Sequence, residues 1–408
     1  MIGLLHRQIW QRLPYGLRRA GLFRAATLLA PRPRADALPG GPVAVAGTFR
    51  AASGLGASAR LCLAALRAGG VPAAALDITA ALRQPARLDL PTPPHEPAPG
   101  PGTLILHVNA PLTGMALLAL GRGRAAGKRI IGYWAWELPE VPAEWALGVG
   151  LVHEIWVPSS FTAAAIAPIA RGRPVHVVPH PVARDPAPPR PARPEGRPAG
   201  RPFTVLSLFD ASSSLARKNP AGAIEAFRRA FGTDPGARLV LKTQRLDDAP
   251  AEAARLRALA AAPNIEILDA TLDAAAMEAL YADADVLLSL HRAEGFGLTI
   301  AEAMRRGMPV VATGWSGNAD FLTPDVGVPV PWRLVPAEDP QRTYHHPRMR
   351  WAEPDLDAAA AALAALRADP AQGARLGAAA AAAAEAAWSV AAYRARLAAI
   401  GALPAGGA

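Results

Sequence analysis

Short apolar runs alternate with longer amphipathic stretches through most of this chain. The runs 42–47 (PVAVAG), 103–108 (TLILHV), 129–134 (RIIGYW) and 154–157 (EIWV) are apolar on both faces, which predicts buried strands. Segments 55–68 and 160–169 between them read as helices. The alternation restarts after residue 202. Strands are predicted at 203–209, 238–243, 264–268, 284–290 and 309–312, with helices at 220–231, 251–262, 273–281 and 298–306. Asn219 reads as an N-cap with Pro220 at the first helical position, and Ile224, Phe227 and Phe231 form one apolar stripe. Ala-rich helices from Asp355 to Ile400 close the chain. Fully apolar short strands alternating with helices argue for parallel sheets covered on both faces. The expected class is α/β, with two Rossmann-like, doubly wound domains facing across a cleft.

Two segments break this rhythm. Ala183–Pro202 holds seven prolines and five arginines, a composition that joins no core and predicts an extended linker. Met1–Gly40 precedes the first strand. Residues 1–34 carry seven arginines and no acid, with Leu4, Leu5, Ile9, Trp10, Leu13, Leu17 and Leu22 at loosely helical spacing. It reads either as an ordinary surface helix or as a basic amphipathic segment resting on an anionic membrane face, with Pro14 and Gly16 interrupting it. The expected organisation is therefore an extension (1–40), a first domain (41–182), the linker (183–202), a second domain (203–386) and a C-terminal helix (387–408) packing back on the first.

Composition narrows the function classes. The 408 residues carry a formal net charge of +10, yet the only lysines are Lys128, Lys218 and Lys242. Scattered arginine among abundant Ala, Gly and Pro reads as a compositional bias, and 6% aromatic residues do not interleave with it as nucleic-acid binding requires. No nucleic-acid partner is expected. The single cysteine, Cys62, excludes an intramolecular disulfide and any multi-cysteine metal site, and suits a reducing cytoplasm. No run of 18 apolar residues is free of charge, and Met1–Arg7 lacks the layout of a signal peptide. A cytoplasmic protein, peripheral on the membrane at most, is expected.

The densest chemical signal is Ser289–Glu302 (SLHRAEGFGLTIAE). A buried strand runs into a tight loop holding Glu294, Gly295, Phe296 and Gly297, and a helix opens at Leu298 and Thr299. The glycines admit close approach of a ligand, and the helix N-terminus offers free N–H groups to a phosphate. Glu294 and Glu302 are spaced to accept hydrogen bonds from two parts of one long ligand. A second strand-to-helix turn, Asp210–Pro220, converges Arg217 and Lys218 on a helix N-terminus, a diphosphate site in outline. Lys242 ends the next strand, facing either the same cleft or solvent. A third turn, Gly314–Asp320, offers Ser316, Gly317, Asn318 and Asp320 as donors or acceptors for sugar hydroxyls or phosphate.

The first domain contributes less certain letters. Ser53–Ala59 (SGLGASA) opens a helix, and Gly54, Gly56 and Ala59, with Asp77 eighteen residues on, superficially match a dinucleotide fingerprint. Six residues separate Gly47 from Gly54, so a loop lying over a diphosphate, with Arg60 one turn in, fits better. His107 and Asn109 end a strand and can both reach the cleft. Trp134, Trp136 and Glu137 sit in a segment (133–145) holding three of the nine tryptophans, read equally as core packing or as a sugar-stacking acceptor platform. The nine histidines form no metal spacing, so no metal ligands and no cofactor are expected.

Ser289–Glu302 resembles the E-x7-E signature of retaining glycosyltransferases of family 4, which have the GT-B fold. Residues 203–231, 284–322, Trp351–Asp355 and Gly132–Phe161 resemble a bacterial branch of that family, for a coverage of roughly 42–400. The resemblance implies a nucleotide-sugar donor held mainly by the second domain. Glu294 would bind donor-sugar hydroxyls and Glu302 the ribose. Residues 295–299 would meet sugar and phosphate through backbone. Arg217 and Lys218 would neutralise the leaving diphosphate. Ser316–Asp320 would form another sugar loop, and Gly54 and Gly56 the loop over the diphosphate. Many members have a histidine at the first-domain strand end, where the better register here places Asn109. The resemblance implies transfer of a hexose with retention to a saccharide or lipid-linked acceptor in cell-surface polysaccharide assembly. The alternatives are a nucleotide-sugar epimerase on the same fold and a non-catalytic sugar-binding relative.

Overall fold

The computed structural model describes residues 15–37, 41–90, 100–182, 200–344 and 348–403. Residues 183–199 of the expected linker (183–202) and the first fourteen residues lie outside them. The first domain is a six-stranded parallel sheet of β1 (Val43–Gly47), β2 (Ala73–Asp77), β3 (Gly102–His107), β4 (Lys128–Tyr133), β5 (Glu154–Val157) and β6 (Val175–Val177), ordered 2-1-3-4-5-6. The second is a six-stranded parallel sheet of β7 (Phe203–Leu208), β8 (Ala237–Thr243), β9 (Ile265–Asp269), β10 (Val286–Ser289), β11 (Val310–Thr313) and β12 (Val328–Val330), ordered 12-11-10-7-8-9.

These orders fix where a ligand can sit. In the first sheet the chain reverses its direction of progress between β1 and β3, and in the second between β7 and β10. At such a switch point the loops leaving adjacent strands diverge to opposite faces and open a crevice at the strands' carboxyl ends. The segments leaving β1, β3, β7 and β10 carry Gly54, Asn109, Arg217 with Lys218, and Glu294.

Strand side chains alternate between two cores in each domain, which is why the strands read as continuously apolar. Val43, Val45, Ile105 and Ile131 pack on one face with Leu63 and Leu66 of the Gly54–Ala68 helix. Ala44, Ala46, Leu104, Leu106 and Ile130 pack on the other with Leu117, Trp134 and Trp145. In the second domain Val205, Leu239, Leu241 and Leu288 meet Ile224 and Phe227, whereas Leu206, Val240 and Leu287 meet Ile300, Met304 and Trp388.

Three features were not predicted. Strands β6 and β12 have three residues each and leave no periodic signal. An antiparallel hairpin, β13 (Trp332–Pro336) and β14 (Arg350–Pro354), leaves the second domain. The chain between its strands, Ala337–Tyr344, turns back toward the cleft.

The first and last described helices both rest on the first domain. The Tyr15–Leu29 helix turns Phe23 and Ala26 inward, with Ala30 buried just after it, and passes close to Gly114 of the Thr113–Leu120 helix. At the other end, the Val390–Ala399 helix buries Tyr393 and Leu397 in the first domain's core. The Tyr393 hydroxyl donates to Cys62 Sγ at 3.3 Å, and Arg129 Nη1 to the Gly401 carbonyl at 2.8 Å. Leu397 lies eleven residues before Ala408 yet is a core residue. Leu397→Ala is expected to lower stability by about 2–5 kcal/mol, the range for buried leucine truncations. A urea-unfolding curve measures it, and a loss under about 0.5 kcal/mol would show that the terminal helix is not part of that core.

Candidate active site

One cleft of about 770 Å³ opens between the carboxyl ends of the two sheets. Gly54, His107, Asn109 and Glu137 line it from the first domain. Arg217, Lys218, Lys242, residues 294–299 and Glu302 line it from the second.

Its electrostatic centre joins the loops after β7 and β10. Glu294 Oε1 lies 3.3 Å from Arg217 Nη1 and in a shorter ion pair with Lys218 Nζ. Arg217 is buried and donates to the Ala293 carbonyl at 2.7 Å and to Ser213 Oγ at 2.6 Å. Between them, Asn219 takes a left-handed backbone conformation (φ 53°). Its side chain caps the Pro220–Phe231 helix and donates to the Leu290 carbonyl at 2.9 Å, which ties the two loops together. Burial disfavours the Glu294 charge, but Lys218 and Arg217 overcome it and hold the carboxyl at about 2. Burial also works against charge on Arg217. Tyr344, followed by the carboxylates of Glu294, Glu137 and Asp339, more than offsets it, and the net shift is upward. Burial, with Arg217 alongside, lowers Lys218 despite Glu294.

From Glu294 the chain makes the turn that aims the next helix at the cleft. Gly297 is the N-cap of the Leu298–Arg305 helix at φ +97°, where a side chain would be strained. Gly295 offers its carbonyl across the domain boundary, accepting from Ser159 Oγ at 2.6 Å and Thr162 Oγ1 at 3.3 Å. One turn into the helix, Glu302 accepts a hydrogen bond from the Tyr281 hydroxyl at 3.0 Å.

The third turn behaves differently from expectation. Ser316, Gly317, Asn318 and Asp320 do not line the cleft. Ser316 Oγ accepts from the Glu294 N–H at 2.8 Å, and the Gly317 N–H donates to the Glu294 carbonyl at 2.9 Å. A Cβ on Gly317 would overlap the Gly295 carbonyl, so this turn packs directly behind the Glu294 loop. Asn318 is fully buried and bonds to the Thr313 carbonyl at 2.8 Å and His291 Nε2 at 2.9 Å. Asp320 reaches the first domain instead, accepting from the Ser160 N–H at 2.7 Å and from its hydroxyl. Polar, Gly-rich letters after a strand fit a scaffold as well as a ligand loop. Only the packing distinguishes the two.

In the first domain Trp134 and Trp136 are core residues and not a stacking platform. Trp134 is wholly buried edge-on to Trp145, and Trp136 packs between Trp145 and Tyr344 with its indole N–H on the Glu140 carbonyl at 2.7 Å. Glu137 does reach the cleft, and burial raises its pKa against the pull of Arg217. Gly54 faces the cleft, whereas Gly56 faces the carbonyls of Thr48 and Ala51. Asn109 lines the cleft while its Oδ1 accepts the Ala135 N–H at 2.9 Å. His107 is buried, stacked on Tyr133 at 4.6 Å, with Nδ1 2.7 Å from Ser58 Oγ and its ring on the cleft wall.

Sequence reasoning missed Tyr344, Thr343 and Tyr281, which also line the cleft. Tyr344 lies 5.4 Å from the Arg217 guanidinium and is hydrogen-bonded to Glu137. It is carried there by the aperiodic segment between β13 and β14, whose Asp339 accepts from Ser214 Oγ and the Thr343 and Tyr344 N–H groups. No local pattern marks such a residue. Among the described residues no cluster of side chains could hold a metal ion, and no helix is long and apolar enough to cross a membrane.

A model of family 4 glycosyltransferases in conflict systems matches residues 142–404. The chain belongs to glycosyltransferase family 4. Solved structures with the same architecture include a glycosyltransferase from Rickettsia africae (TM-score 0.62, 14% identity, 89% of this chain and 98% of that one). Another is Anabaena HepE in complex with UDP-glucose (TM-score 0.59, 14% identity, 88% and 98%). A third is Staphylococcus aureus TarM in complex with fondaparinux, alpha-GlcNAc-glycerol and UDP (TM-score 0.51, 12% identity), where the match covers 74% of this chain but only 55% of that one. The comparison with curated proteins found no match. The paired six-stranded parallel sheets are the GT-B fold of these glycosyltransferases.

The cleft histidines carry a pH signature. Burial lowers both His107 and His180 to about 3. Each is neutral when folded but takes a proton when unfolded below about pH 6.5, so stability falls as pH drops from 6.5 toward 3. The loss approaches about 1.4 kcal/mol per pH unit for each histidine. Unfolding free energy should therefore drop by roughly 2 kcal/mol between pH 7 and 5.5. His180→Gln should remove about half of that drop, and an identical slope in the variant would contradict the assignment.

Proposed function

We propose that this glycosyltransferase transfers a hexose, with retention, from a uridine diphosphate sugar to a saccharide or lipid-linked acceptor, without a metal. The observation that carries the reading is the Arg217–Glu294–Lys218 cluster at the crossing of two switch-point loops, with Glu302 on the same cleft. A nucleoside diphosphate places two negative charges where Arg217 and Lys218 converge. As the cations turn to phosphate, Glu294 is released toward the sugar hydroxyls. Glu302, one helical turn on, takes the ribose. Uridine is the base to test first because UDP occupies HepE and TarM.

Chemically, the chain's own groups act through charge and position. Fixed cations stabilise the charge that builds on the departing diphosphate, and the closed cleft aligns the acceptor hydroxyl beside it. The leaving phosphate takes the acceptor proton, so no protein nucleophile is required. Acceptors approach from the first-domain wall, where Glu137, Asn109 and His107 lie. We assign the enzyme to cell-surface polysaccharide assembly, on the inner face of the membrane.

The two glutamates should fail differently. Glu302→Ala should weaken UDP and the intact donor alike, because both contain the ribose. Glu294→Ala should leave UDP affinity nearly unchanged and reduce turnover, because its hydroxyl partners exist only on the sugar. Each lost charge-assisted hydrogen bond is worth about 1.5–3 kcal/mol, or ten- to hundredfold. Calorimetry with UDP, alongside transfer assayed in EDTA, separates the two. Equal weakening of UDP by both variants would end this division of labour, and loss of transfer in EDTA would end the metal-free reading.

The Tyr15–Leu29 helix supports the membrane-side placement. Its outer face exposes Leu17, Leu22, Leu28 (74%) and Leu29 (67%) beside Arg18 and Arg24. Basic side chains near an anionic surface contribute about 1 kcal/mol each. The full chain should co-sediment with phosphatidylserine-containing vesicles at low salt, and the triple variant Arg24→Glu, Leu28→Ser, Leu29→Ser should remain in solution. Equal binding by both would remove the helix from the account.

A further inference from the structure

The ribose-reading carboxylate of the proposed function is itself held by a neighbour. Glu302 lines the cleft, and its Oε2 accepts the Tyr281 hydroxyl at 3.0 Å. Its Oε1 makes no hydrogen bond among the described residues. Tyr281 comes from a different element, the Ala274–Asp283 helix, and is 2% exposed. Its ring is fixed on both sides. One side packs in the core with Leu287, Ile300 and Met304. On the other lies the Arg306 guanidinium, 4.2 Å from the ring centroid. Arg306 in turn donates to the Glu302 main-chain carbonyl at 2.7 Å and pairs with Glu278. The hydroxyl therefore has one orientation, and it points at one oxygen of one carboxylate.

We infer that Tyr281 is a positioning residue for nucleotide recognition: its hydroxyl holds one oxygen of Glu302 so that the other faces the ribose of the donor. The inference rests on the reading of Glu302 as the ribose ligand. Its physical basis is conformational. A glutamate side chain on a helix has three rotatable bonds, and freedom left in them must be lost on binding. A hydrogen bond made before the ligand arrives removes that freedom in advance. It also leaves the carboxylate a single open oxygen, which favours a hydroxyl donor at one place. Burial, followed by the Glu302 charge, raises the Tyr281 hydroxyl well above the ordinary tyrosine range, so it remains a donor at every working pH.

The test compares UDP with 2′-deoxy-UDP on the full chain, by calorimetry, for wild type and three variants. Tyr281→Phe keeps the ring and removes only the hydroxyl. It is expected to weaken UDP about three- to tenfold while changing 2′-deoxy-UDP less, so the preference for the ribonucleotide shrinks several-fold. Leu322→Ala, which opens the same core from beside Gly327, separates loss of stability from loss of positioning. It should lower the melting temperature and keep the wild-type ratio. Glu302→Ala should abolish the preference. If Tyr281→Phe keeps the wild-type ratio while Glu302→Ala abolishes it, the positioning role is wrong and the ribose reading stands. A Leu322→Ala variant that shrinks the ratio as much as Tyr281→Phe overturns the positioning role as well. If Glu302→Ala keeps the ratio, the ribose reading fails and this inference falls with it.

Discussion

A charge taken out of water must be met by an opposite charge or it destabilises the fold, and in this protein that requirement is concentrated on Arg217. The side chain is buried at the meeting of two domains. Glu294 answers it from the loop after β10, Glu137 and Asp339 lie close enough to hold its charge, and Lys218 shares Glu294. Removing one member of a buried ion pair typically costs about 3–5 kcal/mol, because the remaining charge stays buried and unpaired. The cluster therefore obliges the loops after β7 and β10, the first-domain segment at Glu137 and the excursion of the β13–β14 hairpin to occupy one arrangement together. The charged groups that line the cleft are here also the structural cement.

Around that centre hydrogen bonds and ring contacts join the two domains across the cleft. The Gly295 carbonyl receives Ser159 and Thr162, Gln244 Nε2 reaches the Ala52 carbonyl at 2.8 Å, and Asp320 receives Ser160. His180 packs edge-on against Phe296 at 5.0 Å, and Phe161 against Trp315 at 5.1 Å. These contacts join the same loops that carry the chemistry. A relative movement of the domains would change ligand access and the Glu294 environment in one step.

Some residues invite two readings that burial alone separates. The tryptophans of 133–145 suit a carbohydrate platform by type, yet Trp134 and Trp136 fill the core beneath β4, and Ala135 and Glu137 emerge into the cleft. Ser316–Asp320 has the letters of a sugar loop, yet its polar groups bond to the Glu294 loop, the core and the first domain. Both segments act on the site indirectly, by fixing the segments that line it.

The sequence by itself determined the two parallel α/β domains, because strands buried on both faces and helices buried on one leave periodic signals in the chain. It also determined the strand-to-helix turns with Arg217, Lys218, Glu294 and Glu302, because a turn that starts a helix on an Asn or Gly cap is written in a few consecutive residues. Tertiary structure alone decided which polar turn faces the ligand, that Glu294 stands between Arg217 and Lys218, and that Tyr344 and Tyr281 reach the cleft. Those residues lie far apart in the chain, 76 positions in the case of Lys218 and Glu294. Their meeting depends on sheet order and domain docking. Strand periodicity does not encode that order, since a buried strand reads the same wherever it is inserted in the sheet.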